Sequence, residues 1–348
     1  TNAEGKYLFP QSYDASKWTK AAEAARDVLD LRQYELIETG NPYVDWRAVF
    51  TQKWNRELIF GYQKTSYNWR VATIPLGVGG RAYGGVAITQ KLVDAFAMDT
   101  EHGGRYPITG YQADGSPVID PQSGYDESGF TSFTHPILGS TKSTYNMYLN
   151  REPRFYASIG FDRGTFEIDD KILTLQLRGG ELHGSTLKET DEYQSCTGYL
   201  CQKWIHKSST YNQSKNSYNY RKYAYPYLRL PELFYNYAEA DFEYNGSLSP
   251  LSLEYLNRVR KRCGLPRFQD SWALVGGIPS GSELRKVLHQ ERSIEFLFEG
   301  RRFHDLRRWK EAPEVMNKEP RSWNRDGKTQ EDCLLYTSPS PRDMRRSR

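Results

Sequence analysis

The segment "ERSIEFLFEGRRFHDLRRWK", residues 291–310, constrains the fold more than any other part of the chain. It continues "SELRKVLHQ", and the run up to Gly300 reads as one helix capped by Ser282. With Leu284 at the origin and about 100° per residue, Val287, Leu288, Ile294 and Phe298 define an apolar arc of roughly 120°. Glu291 and Glu295 fall inside that arc, within about 20° of its centre, and Glu299 lies at its edge. A helix that buries this face buries carboxylates with it. Such groups must be paired or must take up protons.

Three arrangements meet that demand. Paired-acid catalysis fits poorly: acids four apart stand side by side, with Cβ atoms about 6 Å apart. Glycosidase acids instead flank a bond from two sides, at about 5–5.5 or 6.5–9.5 Å. A metal site lacks its helical E-x-x-H partner, since His304 stands five residues past Glu299. A structural ion network has candidate partners in Arg258, Arg260, Arg292 and Arg302, whose planar forks suit carboxylates. The spacing favours this third arrangement. Elsewhere the chain has no G-x-S-x-G elbow, no H-E-x-x-H, and six scattered histidines in no triad order. Neither a nucleophilic triad nor a zinc-hydrolase motif is readable from the sequence.

The 348 residues suffice for one large domain or two smaller ones. Twenty-six tyrosines stand beside 15 Phe and 8 Trp. Such a surplus suits half-buried recognition surfaces as well as ordinary packing. The formal charge is +4, and Arg342, Arg345, Arg346 and Arg348 against Asp343 place +3 of it after Leu334. A protein-wide basic field for nucleic acid is therefore not supported. Cys196 and Cys201 are close enough in sequence to bridge, but C-x4-C without a second pair is a weak zinc signal, and free cysteines are expected. No apolar run is long enough to span a bilayer. The chain begins at Thr1 without an initiator Met, so an N-terminal part, export signal included, is expected to be missing.

Along the chain, "SKWTKAAEAARDVLDL" reads as a helix capped by Ser16, its alanine stripe suited to close helix pairing. "AITQKLVDAFAM" reads as a second helix. The intervening "PLGVGGRAYGG" lacks the GK[ST] of a phosphate loop. Residues 99–150 and 179–226 read as long loops. "RFYASIGF" and "KILTLQL" alternate with period two and are predicted to form a hairpin. The last third is helical, with Pro231 in a first turn, Ser249 and Pro250 opening the next helix, and Gly264 and Pro266 closing it. The fold class is mainly α, with a small β element.

In this order, "YPYLRLPELFYNYAEADFEYNG", "LEYLNRVRKRCGLP" and "ERSIEFLFEGRRFHDLRRWKEA" resemble the C-terminal half of SusD/RagB-type outer-membrane nutrient-binding lipoproteins of Bacteroidetes. "LVDAFAMDTEHGGRYPI", "SGYDESGF", "NREPRFYASIGFDRGTF" and "TGYLCQKW" resemble the same family's middle region. The likeness covers residues 1–328. The chain departs from the family's R-D-P-R at Arg151, Glu152, Pro153 and Arg154, and "YLCQKW" is slightly atypical. The resemblance implies a SusD-like fold of tetratricopeptide-type helix pairs with long irregular loops and a small β-hairpin. It implies a non-catalytic protein on the cell surface, lipid-anchored in the outer membrane through a part lost from this fragment. Such a protein captures oligosaccharides, or peptides in some relatives, for a SusC-like TonB-dependent transporter. Residues 329–348 are expected to be a disordered or artefactual tail, because "CLLYTSPSPRDMRRSR" resembles translated adapter sequence.

A sugar ring offers a C–H face to aromatic rings and hydroxyls to polar groups. The candidate binding residues are Tyr62, Tyr67, Asn68 and Trp69 in "GYQKTSYNWR", with Arg70 beside them, then Tyr83 in the glycine-rich loop and Trp204 further on. Trp309 reads as core. Two function classes stand: a glycan-capturing transport component, or a peptide-binding or protein-interaction module of helical pairs. An exposed row of aromatics would favour the first, and a polar superhelical groove the second.

Overall fold

The computed structural model describes residues 2–7, 11–63, 72–79, 82, 84–113, 115–139, 141–186, 194–212, 214–215, 217–317 and 321–333. The first half holds α1 (Ser16–Asp30), α2 (Pro42–Thr51), β1 (Leu58–Tyr62), α3 (Gln90–Asp94), β2 (Ile108–Tyr111), β3 (Pro117–Ile119), β4 (Phe130–Thr134), β5 (Thr141–Tyr145), α4 (Pro153–Ser158), β6 (Ile159–Gly160), β7 (Thr165–Ile168) and β8 (Lys171–Thr174). Then come β9 (Leu200–Cys201), β10 (Thr210–Asn212), β11 (Ser217–Asn219) and β12 (Tyr225–Arg229). The helical end comprises α5 (Leu230–Asn245), α6 (Pro250–Arg262), α7 (Phe268–Ala273), α8 (Gly281–Glu295), α9 (Arg301–Arg308), α10 (Ala312–Met316) and α11 (Gln330–Cys333).

The architecture is mainly α, built on helix pairs. Helix α1 lies along α5, and α5 packs against both α6 and α8. Small Ala25, the one buried residue of α1, permits the close approach. The strands form antiparallel two-stranded ribbons, and β1–β12 spans the longest sequence separation. Helix α6 begins and ends as its sequence signals require. Ser249 Oγ accepts from the Ser252 amide at 3.2 Å, Pro250 opens the first turn, and Gly264 takes the left-handed conformation just past the end. One continuous core joins α2 through Trp46 and Phe50 to Trp204, the aromatic residues of α4, and Cys333 of α11.

Several sequence expectations are corrected. In "RFYASIGF" only Ile159 and Gly160 are strand, β6 paired with β9: Pro153 starts the short helix α4, and Arg154, Phe155, Tyr156 and Ala157 are all buried. Alternation there does not separate a wet face from a dry one, so period two carries no information. The hairpin is formed by β7 with β8 instead. The α1 cap is not Ser16, whose amide and hydroxyl both donate to Asp14 Oδ1 at 3.0 and 2.7 Å. In "AITQKLVDAFAM" only Gln90–Asp94 is helical. Helix α8 begins at Gly281, before Ser282, and ends at Glu295, well before Gly300. Phe298 then takes a positive φ of 63°, uncommon for a bulky residue, and turns Glu299 back toward the core. Past residue 328, α11 still packs on the body: Tyr145 Oη donates to the Gln330 carbonyl at 2.9 Å, and Cys333 is buried. Residues 334–348 lie outside the described residues.

Candidate functional site

The carboxylates of the charged segment sit at the centre of a buried ion network. Glu295 of α8 receives Arg229 and Arg262, each at 2.6 Å, and Arg154 at 3.2 Å. Arg260 donates to Glu291 at 2.5 Å. Glu299 binds Arg229 at 2.8 Å and Lys203 at 2.7 Å. Glu57 receives Arg262 at 2.6 Å, and Glu152 receives Arg154 at 2.5 Å. Five acids thus meet five bases, and all ten side chains are almost fully withdrawn from solvent. Trp46 and Phe296 cover the cations, with Arg262 5.0 Å from the Trp46 ring centre and Arg229 4.5 Å from that of Phe296.

Burial pushes the Glu295 carboxyl up, but Arg262, Arg229 and Arg154 outweigh it and hold it well below the usual carboxylate range. Burial dominates at Glu57, whose carboxyl is raised, and it lowers Lys203 to about 8. The ten groups are buried and matched acid to base, which is the arrangement of a structural ion network. Of the partners expected from sequence, only Arg260 joins this network. Arg292 binds Asp305 and Glu232, Arg302 donates to Ser293 Oγ, and Arg258 stacks on Phe234. Arg154, Arg229, Arg262 and Lys203 come from distant segments, and no spacing rule could have found them.

The network also anchors an exposed aromatic ribbon. Glu57 immediately precedes β1, and Arg229 ends β12 opposite Leu58. Two register shifts bulge this strand pair. Phe60, Tyr62 and Tyr227 project from it, 63%, 49% and 48% exposed. Their rings are neighbours: Tyr227 lies 5.8 Å from Phe60 and 6.5 Å from Tyr62. Tyr225 touches Tyr227 at 5.3 Å and stacks on Trp204 at 5.0 Å. A continuous aromatic column therefore runs from the core to the surface. Tyr225 Oη donates to the Glu299 carbonyl at 3.1 Å, and the Arg301 guanidinium donates to the Tyr227 carbonyl, which ties the ribbon to the charged segment.

Of the candidate binding residues, Tyr62 is on this ribbon. Trp204 is not at the surface: it is fully buried, its Nε1 donates to the Phe298 carbonyl at 3.2 Å, and it supports the column from beneath. Tyr67, Asn68, Trp69 and Tyr83 lie outside the described residues. Trp309 is half-buried, stacked on His289 at 3.5 Å. Phe60 and Tyr227 are the residues that sequence reading passed over. Period two in "LIFGY" signals that Phe60 shares a face with Tyr62. Tyr227 was hidden because Pro226 argues against a strand and "YPYLR" runs directly into a helix.

Two open cavities flank the body. One, of about 380 Å³, lies between the β2–β3 region and α7–α8 and is walled by Tyr106, Ile108, Trp272 and Val287. The other, of about 650 Å³, lies beside β1 and is lined by Glu35, Glu38, Trp54, Arg56 and Arg258. Among the described residues, no group of three His, Cys, Asp or Glu side chains is arranged to hold a metal ion, and no helix is long and apolar enough to cross a membrane.

Comparison with known proteins places this architecture. BT4246, 23% identical, matches with a TM-score of 0.75 over 97% of this chain and 60% of its own. A SusD-like protein (BF3747) from Bacteroides fragilis NCTC 9343, 27% identical, matches with a TM-score of 0.63 over 94% of this chain and 60% of its own. A SusD-like carbohydrate binding protein (BF0978) from the same organism, 18% identical, matches with a TM-score of 0.51 over 88% of this chain and 51% of its own. The chain thus spans about 60% of the length of the first two. No curated protein matches it. The model of the SusD family matches residues 46–346, running on past residue 328. With the fold and most of its length in agreement, the chain belongs to the SusD family.

Proposed function

We propose that the chain is the binding part of a non-catalytic, surface-exposed outer-membrane protein that captures oligosaccharides and passes them to a SusC-like TonB-dependent transporter. The observation that carries this reading is the row of exposed rings Phe60, Tyr62 and Tyr227 on one rigidly rooted ribbon. Large apolar faces with phenol hydroxyls at their edges suit the C–H faces and hydroxyl rims of sugars. A shallow platform also suits a ligand that must be released again. Tyr67, Asn68 and Trp69 follow β1 within seven residues of Tyr62. At ~3.5 Å per residue they can reach the same platform, and they extend it in this proposal. Trp204 then acts from below, holding Tyr225 and through it Tyr227. The carbohydrate-binding description of the similar BF0978 supports the same class of ligand.

Isothermal titration against a panel of plant, host and microbial oligosaccharides tests this. At least one class should bind, and Tyr62→Ala with Tyr227→Ala should weaken it. Failure of every oligosaccharide to bind both this chain and a longer version that includes preceding residues would overturn the proposal. Binding of peptides instead would replace it by the peptide-binding reading.

A further inference from the structure

We propose that the open depression of about 650 Å³ beside the aromatic ribbon is a subsite for acidic sugar residues, recognised through Arg258 and Trp54. The inference rests on the oligosaccharide reading above and adds the chemical class of the ligand.

The depression contains four charged side chains, and their pairing leaves one cation uncommitted. Arg56 binds Glu35 at 2.5 Å. Glu38 is met by Lys261, from outside the depression, at 3.7 Å. Arg258 has no ion pair and no hydrogen bond among the described residues; its guanidinium lies 4.8 Å from the ring centre of Phe234. A guanidinium held over a ring keeps its N–H groups available for a further partner. That edge matches the two oxygens of a carboxylate, and Arg258 is exposed to receive one.

The opposite requirement, a surface for the sugar ring, is met by Trp54. Its indole is 47% exposed, although it packs over Gly61 of β1. A Cβ at Gly61 would lie 3.3 Å from the indole edge, so the glycine leaves room for the ring to approach the ribbon closely. An indole beside an uncommitted guanidinium offers both contacts a uronic acid needs, one for the pyranose face and one for the carboxylate. The exposed Gln52 adds an amide at the rim for hydroxyls. Because Trp54 packs against Gly61, between Phe60 and Tyr62 on β1, one oligosaccharide can occupy both places at once.

Titration of the chain with uronate oligomers (oligogalacturonate and oligomannuronate) and with neutral cello-, malto- and xylo-oligosaccharides is the test. Uronate oligomers should bind, more weakly as salt rises. Arg258→Gln should weaken them about tenfold, and Arg258→Lys should do so by less, because it keeps the charge but loses the fork. Trp54→Ala should weaken them as well. If neutral oligosaccharides bind at the ribbon while uronates do not, or if Arg258→Gln leaves uronate affinity unchanged, the acidic subsite is overturned and the oligosaccharide reading stands. If neither class binds, the acidic subsite is overturned, and the oligosaccharide reading is decided by the wider panel above.

Discussion

Arg229 and Glu295 meet at 2.6 Å with neither side chain exposed, and Arg229 is also the residue that ends β12. One guanidinium therefore serves the charged core and the surface ribbon together. The aromatic rings hold their positions only as firmly as that core is balanced.

Removing a carboxylate from this core should be costly. Glu295→Ala leaves Arg154, Arg229 and Arg262 without their shared acid. Uncompensated buried charge typically costs about 3–5 kcal/mol. Urea unfolding should show a loss of that order, and Glu291→Ala, which strands Arg260, should show a similar one. Variants as stable as the parent would contradict the structural role assigned here.

Asp94 gives a pH dependence of opposite sign to a salt-bridged acid. It is buried, accepts hydrogen bonds from Gln90 Nε2 at 2.8 Å and Tyr111 Oη at 3.1 Å, and is pushed up to about 6, chiefly by burial. A raised carboxyl favours folding while it is protonated, below its unfolded value near 3.8, and that contribution fades as pH rises through 6. Asp94→Asn should therefore match the parent near pH 4 and exceed it at pH 8, by on the order of 2 kcal/mol. Unfolding midpoints at the two pH values provide the check.

The ribbon and the residue beneath it should separate binding from folding. Phe60, Tyr62 and Tyr227 are about half exposed or more, so alanine at each should leave stability within about 1 kcal/mol. The same changes should lower oligosaccharide affinity roughly five- to thirtyfold, or about 1–2 kcal/mol each. Trp204→Ala should instead cost about 3–5 kcal/mol of stability. Thermal melts alongside titration distinguish the two patterns.

Thiol chemistry offers a simpler check. All four cysteines are free, with Cys196 exposed and Cys201, Cys263 and Cys333 buried. Burial pushes the Cys201 thiol up to about 12 and those of Cys263 and Cys333 up to about 11, which suppresses the reactive thiolate. A thiol reagent should label Cys196 rapidly in the native chain and the other three only in denaturant. Reducing agent should leave the melting temperature unchanged.

The helical third was legible because its signals are local. Ser249, Pro250 and Gly264 act within a turn of their own positions, and the structure places them as expected. Burial of Glu291 and Glu295 was legible too, since helical periodicity fixes a face. The identity of their partners was not: Arg154, Arg229 and Arg262 reach Glu295 from 141, 66 and 33 residues away, which only tertiary packing decides. Helix α4 was misread because every one of its faces is dry. The candidate site was half legible. Tyr62 followed from the aromatic-rich run "GYQKTSYNWR", whereas Tyr227 depends on a bulged pairing that places a proline-containing segment in a ribbon.

The balance of five acids and five bases has a consequence for how the chain is made. A nascent chain that has emerged as far as residue 290 carries Arg154, Lys203, Arg229, Arg260 and Arg262, but only Glu57 and Glu152 among the acids. Three positive charges then lack counterparts, and a dry core cannot close around them. Residues 291–299 thus act as a late latch. Until they arrive, the aromatic segments upstream lack the balanced core that roots them.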